Sequence, residues 1–353
     1  MKPLKKVFTF ILVWIMMSTS IIACSLKITN ASSNITTKRP VKIGVLLHSF
    51  DDPYISIVKK TLEDIQMKNK DKVEFTFYDG KNNQSIQETN LNNLLKKDNV
   101  DILIVDLVNR GVESVRNVID KVEAFNIPVV FHYLEPGTED VIKSYNKAIV
   151  VEADDKQGGN LQAKIIIDIW NNNKASIDKN NDNILQYIML RGSSKSAATI
   201  RSQYTFEAIN ARIKTEPLEI VNANFDKELA KAATNSLFLK YDGKIDAIIA
   251  DNDAMAIGAV EALQTYGYNT GDPAKTIVVV GIDGIPEALE LVNKGYMAGT
   301  VIQNPSDTAE ALYTVAMNLF SGKVPTEGTN YKFDKTNATI LLPYQEYTVK
   351  SNT

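Results

Sequence analysis

The sequence predicts an α/β fold with doubly wound parallel sheets, and three features of the chain indicate it. Strand-like apolar runs alternate with amphipathic segments from Val41 onward, with little interruption. The first run, VKIGVLL, has the pattern of a buried strand. Polar residues gather just after several runs, at the strand ends where parallel sheets bind their ligands. Strand–helix–strand alternation of this kind predicts a parallel sheet.

Each strand is predicted from a short apolar run, and each helix from apolar residues at the helical period. After the first run, the predicted strands are residues 73–78, 101–105, 127–131, 148–151, 185–190, 247–250 and 277–282. Two intervening segments carry an apolar helical face, formed by Ile55, Val58, Leu62 and Ile65 in one and by Val112, Val115, Ile119 and Val122 in the other.

The N-terminus predicts export and a lipid anchor. Three lysines among the first six residues precede an apolar run over residues 7–22, and the segment IIAC ends at Cys24, the only cysteine. This pattern is typical of a signal peptide over residues 1–23 that is cleaved before a cysteine, which is then acylated. A buried thiol or a membrane span are the alternatives, but the run is short for a span. We expect the mature chain to be tethered outside the cytoplasmic membrane.

Charge and cysteine content exclude several classes of protein. Without residues 1–23 the chain carries 36 Lys and Arg against 42 Asp and Glu, a formal charge of −6. A nucleic-acid-binding protein would need a basic stripe. A single cysteine excludes structural disulfides and thiolate metal sites. The polar stretch over residues 24–40 predicts a flexible linker, and the remaining length suffices for two α/β domains.

The sequence gives little support for enzyme chemistry. It has two histidines, His48 and His132, and lacks the GxSxG motif, so few residues could form a nucleophile–base pair. The segment RGSSKS, which begins at Arg191, faintly resembles a phosphate loop, but an ordinary strand-to-helix turn is the better interpretation. Carboxylates, amides, one arginine and aromatic residues at the strand ends suit a neutral polyhydroxylated ligand instead.

Five stretches of the chain carry a resemblance to one family. They are IGVLLHSFDDPYISIVKKTLE at 43–63, NIPVVFHYLEP at 126–136, IIADNDAMAIGAVEAL at 248–263, GIDGIPEALELVNKG at 281–295 and AGTVIQNP at 298–305. Together they resemble the galactose/glucose-binding proteins of bacterial ABC transporters, over about residues 41–343. The sensor domains of LacI-type repressors share parts of this pattern, but this chain has a lipobox and no DNA-binding helix-turn-helix.

The resemblance implies a periplasmic binding protein of type I, with two lobes joined by three crossover segments. Residues 41–151 and 303–340 would form the N-terminal lobe, and residues 152–302 and 341–353 the C-terminal lobe. The family closes around its sugar by hinge motion. We expect the same of this chain, as a monomer.

Polar ligand contacts are implied by the same resemblance. Asp52 would accept hydrogen bonds from sugar hydroxyls, and Asn252 and Asp283 would bind adjacent ring hydroxyls. Arg201 would reach the anomeric and ring oxygens. Gln303 stands where the family has asparagine.

Aromatic positions and the loop before the arginine depart from the family. Tyr54 and Phe225 would stack on the sugar where the family has phenylalanine and tryptophan. Tyr133 replaces an asparagine that contacts the exocyclic hydroxyl. In the shortened loop, Lys195 and Ala197 stand where the family has histidine and aspartate. We hypothesise a shift toward a pentose such as xylose, with local misalignment of this loop as the alternative.

A calcium loop is predicted from spacing. Side-chain oxygens fall at positions 1, 3, 5 and 9 of an EF-hand-like pattern, with a backbone carbonyl at position 7: Asp178, Asn180, Asp182, Gln186 and the carbonyl of Ile184. Asn183 takes the position usually held by glycine. By resemblance, Asp246 stands where the family supplies a bidentate glutamate. An Asn- and Asp-rich surface loop is the alternative, and calcium would serve a structural role.

These observations lead to one main functional prediction and two alternatives. The chain is expected to bind an aldose of the galactose/glucose type, or a pentose, and to deliver it to an ABC permease and its ATPase. The first alternative is a sensory subunit that presents the sugar to a membrane histidine kinase or chemoreceptor. The second, a sugar hydrolase with Asp52 and Asp283 as the acid–base pair, is the weakest.

Overall fold

A computed structural model of the chain describes residues 39–97, 99–192, 197–241 and 243–349. The predicted signal peptide, Cys24, nearly all of the predicted linker and Lys195 lie outside these residues. Among the described residues, no helix has the length and apolar character that crossing a membrane requires.

The described strands form two sheets. The first sheet has seven strands in the order β11-β12-β5-β4-β3-β1-β2. Their bounds are β1 Val41–Leu47, β2 Val73–Asp79, β3 Ile102–Val105, β4 Val129–His132, β5 Ala148–Ala153, β11 Lys332–Phe333 and β12 Thr339–Leu342. All of the pairs are parallel except that of the edge strand β11 with β12.

The second sheet has six described strands in the order β13-β10-β9-β8-β6-β7. Their bounds are β6 Leu185–Arg191, β7 Thr215–Asn222, β8 Ala247–Ala250, β9 Val278–Asp283, β10 Gly299–Ile302 and β13 Gln345–Thr348. Only β13 runs antiparallel to its neighbour.

Helices cover both faces of each sheet. They are α1 Pro53–Lys68, α2 Gln84–Lys97, α3 Val112–Ala124, α4 Glu139–Lys143, α5 Asp155–Ile177, α6 Ala197–Asn210, α7 Lys227–Lys240, α8 Asp253–Gln264, α9 Pro286–Asn293 and α10 Pro305–Phe320, with a short 3₁₀-helix at Pro273–Lys275. In the first sheet, α1 and α10 pack on one face and α2, α3 and α4 on the other. In the second sheet, α7, α8 and α9 oppose α5 and α6. Two doubly wound α/β sheets confirm the predicted fold class.

The chain passes between the sheets three times. It leaves the first sheet after β5, returns after β10, and leaves again between β12 and β13. The predicted lobe boundaries at residues 151 and 340 fall two residues short, because Ala153 and Leu342 still pair within the first sheet.

Most predicted core positions are buried, with one exception. The face formed by Ile55, Val58, Leu62 and Ile65 is buried on α1 as predicted. On α3, Val112 was expected in the core but is 39% exposed. Val112 is the first residue of the helix and precedes the turn that packs on the sheet. The later apolar residues of the same helical face, Val115, Ile119 and Val122, are buried.

Candidate functional site

The predicted polar ligand residues lie at the carboxyl ends of parallel strands in both sheets. In the first sheet, Asp52 follows β1 and Tyr133 follows β4. In the second, Asn252 follows β8, Asp283 ends β9 and Gln303 follows β10. This placement is where open parallel sheets present ligand-binding loops.

Two of these residues begin helices, which fixes their side chains. Asp52 is the N-cap of α1, and one of its carboxylate oxygens accepts a 2.9 Å hydrogen bond from the backbone N–H of Ile55. Asn252 is the N-cap of α8, and its side-chain oxygen accepts from the N–H of Met255 at 3.0 Å. Each residue thus has a partly satisfied side chain held at the strand-to-helix turn.

Arg201 on α6 connects the two sheets. Its Nη1 donates to the Tyr133 hydroxyl at 2.7 Å and to the Tyr344 hydroxyl at 3.3 Å, and its Nη2 donates to the carbonyl of Asp251 at 3.1 Å. The Tyr133 hydroxyl in turn donates to Asp155 Oδ1 at 2.5 Å. The guanidinium is 5% exposed. Burial and the charge of Arg201 oppose each other at Asp155, and burial dominates, so the pKa of Asp155 is raised.

Tyr133 holds this position at a conformational cost. Its φ is +64°, in the left-handed region that side chains other than glycine seldom adopt. Two guanidinium groups lie near its ring, with the Cζ atom of Arg110 5.3 Å and that of Arg201 5.8 Å from the ring centroid. These cation–π contacts favour the observed ring position.

Asp283 is the most strongly perturbed acid among the predicted ligand residues. It is 8% exposed, and burial together with the neighbouring charges of Asp253 and Asp52 raises its pKa well above the usual range. Asp253 is itself fully buried, and its carboxylate accepts hydrogen bonds from Thr300, Gly284 and Ile285. A ligand hydroxyl could form a hydrogen bond with the side chain of Asp283.

The two predicted stacking residues differ in their surroundings. Phe225 has a φ of +61° and packs its ring directly over Gly192, where an added Cβ would lie 2.0 Å from the ring. Its carbonyl accepts a 3.3 Å hydrogen bond from Asn252. Tyr54 is 7% exposed within the core of the first sheet, and its hydroxyl is 2.7 Å from that of Thr308. Phe225 thus contacts Asn252, and Tyr54 lies near Asp52, Asp283 and Tyr344 while it packs in the core of the first sheet.

Comparison with known proteins assigns the chain to a protein family. The chain matches the periplasmic binding protein domain family over residues 43–324. It belongs to this family. The D-galactose/methyl-galactoside binding periplasmic protein MglB of Haemophilus influenzae is 33% identical over 328 residues, which cover 92% of this chain and 94% of that protein. The predicted resemblance is confirmed.

Solved structures of solute-binding proteins share the fold of this periplasmic binding protein. An ABC transporter solute-binding protein from Bacillus halodurans, with bound myo-inositol, has a TM-score of 0.70 and 22% identity over 89% of this chain and 96% of its own. One from Actinobacillus succinogenes, with bound D-allose, has a TM-score of 0.71 and 21% identity over 87% of this chain and 97% of its own. The family comprises transport proteins, which confirms that the chain is not an enzyme.

Two site residues of this periplasmic binding protein were missed from the sequence. Asp155 begins α5 directly after β5, and Tyr344 lies on the third crossing between the sheets. The Tyr344 hydroxyl donates to Gln303 at 3.2 Å and lies 3.3 Å from Asp155. The signal for Asp155 was its position after a predicted strand, but Tyr344 carries no such signal.

A cavity of about 230 Å³ adjoins this network. Leu134 and Glu152 line it from the first sheet, and Asp155 and Ile200 line it from the second. Burial, reinforced by the charge of Asp155, raises the pKa of Glu152 to about 8. The carboxyl groups of Glu152 and Asp155 thus line a cavity that has residues of both sheets in its walls.

The predicted calcium loop is ordered by its own acidic side chains. The carboxylate of Asp178 accepts backbone hydrogen bonds from Asp182 at 3.1 Å and Asn183 at 2.9 Å. Asn183 has a φ of +63°, as its place in the pattern requires. The carboxylate of Asp246 accepts from the backbone N–H groups of Lys179 and Gln186.

Side-chain oxygens converge within this loop. Asn180 Nδ2 lies 2.9 Å from both Asp182 Oδ2 and Gln186 Oε1. The backbone N–H of Ile184 donates to the other oxygen of Asp182. Within the described residues, no group of three or more Asp, Glu, His or Cys side chains could hold a metal ion. Any calcium ligand set must therefore include amide and carbonyl oxygens, which calcium accepts readily.

Proposed function

We propose that this protein binds a monosaccharide between its two sheets, outside the cytoplasm, and delivers it to an ABC permease and its ATPase. The observation that carries the proposal is the set of buried and half-buried polar side chains presented by both sheets. Asp283 and Asn252 from the second sheet and Asp52 from the first offer oxygens to ligand hydroxyls, and buried Arg201 bridges the sheets. The relationship to MglB, whose name records galactose binding, supports a sugar ligand.

We further propose that the pocket favours a pentose such as xylose over a hexose. The Tyr133 hydroxyl already accepts from Arg201 and donates to Asp155. This ring therefore takes up space and hydrogen-bonding capacity beside the arginine that is expected to contact the anomeric oxygen. A hexose would have to place its extra CH₂OH group in the same region, whereas a pentose has none.

A thermal-shift screen tests both parts of this proposal. The mature domain from Val41 would be melted with glucose, galactose, xylose, arabinose or ribose, because a ligand that binds only the folded state raises the melting temperature. A shift with xylose or another pentose alone supports the altered pocket. A shift with glucose or galactose, and none with pentoses, contradicts the pentose proposal but keeps the sugar-binding function. No shift with any sugar contradicts both.

Lipid anchoring at Cys24 is a separate proposal that rests on the sequence of the N-terminus. Metabolic labelling with a fatty acid should mark the full-length chain but leave Cys24→Ser unlabelled. Because sugar binding resides in residues 41 onward, the variant should keep its sugar-dependent melting shift. Equal labelling of both chains would contradict acylation at this cysteine.

Calcium is proposed to stabilise the second sheet through the loop of Asp178, Asn180, Asp182, Ile184 and Gln186, with Asp246 beside it. The left-handed Asn183 and the convergence of Asp182 and Gln186 oxygens on one point support it. Bound calcium would replace the Asn180 amide as the shared partner of these oxygens. Its effect would be stabilisation of the folded chain.

A further inference from the structure

Four side chains form a cluster at the carboxyl ends of β1, β3 and β4. They are His48, Asp106, Arg110 and His132. The centre of the cluster is Asp106, whose side chain is fully buried. Asp106 Oδ2 lies 2.6 Å from Nδ1 of His48, and Asp106 Oδ1 lies 3.0 Å from Nη2 of Arg110. Nδ1 of His132 is 3.9 Å from the same Oδ1.

His48 bridges two carboxylates. Its Nδ1 faces Asp106, and its Nε2 lies 3.7 Å from Oδ2 of Asp52. The other oxygen of Asp52 is fixed by the backbone N–H of Ile55. The carboxylate of Asp52 is thus held from two directions, by a helix N-terminus and by a histidine.

We propose that His48, anchored by Asp106, is a positioning residue that orients the Asp52 carboxylate toward ligand hydroxyls. This inference rests on the proposed function, in which Asp52 contacts the sugar. A protonated imidazole donates from both nitrogens, so it can bond Asp106 and attract Asp52 at the same time. A neutral imidazole that donates to Asp106 would instead present a lone pair toward Asp52.

The surroundings of His48 favour its protonated form. Burial alone would lower its pKa, but the charge and hydrogen bond of Asp106 and the contact with Asp52 outweigh burial and the opposing charge of Arg110. The pKa of His48 is raised to about 9. The pKa values of Asp106 and Asp52 are lowered, so both are ionised at neutral pH.

The pKa of the second histidine, His132, is lowered rather than raised. His132 is 3% exposed, and within the described residues neither ring nitrogen has a hydrogen-bond partner. Burial lowers its pKa to about 4 despite the nearby charge of Asp106. The groups around His48 are Asp106, Asp52, Arg110 and His132. The carboxylates of Asp106 and Asp52 and the imidazole of His132 are not expected to change charge between neutral pH and pH 9. The contribution of His48 to ligand affinity should therefore be lost as pH rises through its pKa.

The first test is the titration of the imidazoles by NMR in the mature, tag-free protein. Its only histidines are His48 and His132, so two sets of imidazole signals are expected. One set should titrate near pH 9 and disappear in His48→Gln, and the other should remain neutral above about pH 5. A His48 signal that titrates near its ordinary value of about 6.5 would overturn the inference.

The second test is the affinity for the sugar that gives the largest melting shift. The unaltered protein should bind it about fivefold more weakly at about pH 10 than at about pH 7. His48→Gln should bind about fivefold more weakly at neutral pH, and its affinity should change less with pH than that of the unaltered protein. His132→Gln is the matched control and should keep the pH dependence.

The outcomes separate this inference from the proposed function. Tight sugar binding with no pH dependence in the unaltered protein, or with unchanged affinity in His48→Gln, overturns the role of His48 and leaves the function intact. Binding of no sugar overturns both. If His48→Gln fails to fold, Asp106→Asn and the pH profile of the unaltered protein provide the same test.

Discussion

The guanidinium of Arg201, on the second sheet, donates a 2.7 Å hydrogen bond to the hydroxyl of Tyr133, on the first. The same hydroxyl donates to Asp155 at the start of the helix that follows the first crossing. Because this hydrogen bond exists only when the sheets approach each other, it stabilises the arrangement in which they do so.

Removal of the Tyr133 hydroxyl should weaken the contact between the sheets. Tyr133→Phe leaves buried Arg201 and Asp155 without one partner each, so the free energy of unfolding should fall by about 1–3 kcal/mol. The sugar-free protein should also become more open, measured as a larger radius of gyration in small-angle X-ray scattering. Tyr145→Phe is the control, because its 3.1 Å hydrogen bond to Ile127 lies within the first sheet. An equal change in scattering for both variants would contradict the prediction.

Asp283→Asn should gain stability and lose ligand affinity. The raised pKa of Asp283 means that the folded state holds its proton more tightly than the unfolded state, so stability is lost as pH rises above the unfolded value. Asparagine removes that loss and has nearly the same shape as aspartate, which already holds this φ of +134°. The sugar-free variant should melt higher than the parent at about pH 8, while sugar affinity falls about 100-fold. A melting curve with unchanged pH dependence would show that the carboxylate is not destabilising.

Gly192→Ala should displace Phe225. The new methyl group would lie 2.0 Å from the ring, so the ring must move. Sugar affinity should fall by about tenfold through loss of the stacking surface, measured by calorimetry. In the double variant with Phe225→Leu the steric conflict is relieved, so stability should recover while affinity stays low. Recovery of both would exclude a stacking role for Phe225.

Asp182→Ala should lower stability mainly when calcium is present. Calcium at about 100 times its dissociation constant stabilises a protein by about 2.7 kcal/mol, and the variant should lose most of this. Melting curves with calcium and with chelator make the comparison, and Asp120→Ala, at an exposed position on α3, controls for lost charge. An equal loss in both conditions would indicate a packing defect at Asp182.

The sequence predicted eight of the described strands, including the edge strand β2, and missed β7, β10, β11, β12 and β13. β1, β8 and β9 are buried apolar runs, so each was visible in a short window. β7 was not predicted, because it is half exposed, contains Pro217 and is an edge strand whose register shifts against β6. β13 is polar and pairs only along one side. At β7 and β13, the exposed positions interrupt the apolar run that produces the signal.

The sequence predicted which residues follow the strands at the candidate site, but it did not predict which side chains contact each other there. Residues such as Asn252 were identified because they follow strands, and parallel strands present their carboxyl ends together. The partner of Tyr133 was not predictable, since Arg201 is 68 residues away and lies on the other sheet. Nor was the link from His48 to Asp106, 58 residues apart, because it depends on the register of β1 against β3.

The third crossing between the sheets has a consequence for how the protein is made. Residues 339–348 supply β12 to the first sheet and β13 to the second. While the chain is being synthesised, β5 and β10 therefore each keep an open edge until the C-terminal residues emerge. Open edges pair readily with other chains. A nascent chain needs protection from aggregation until its last residues are available, and loss of this short C-terminal segment would damage both lobes at once.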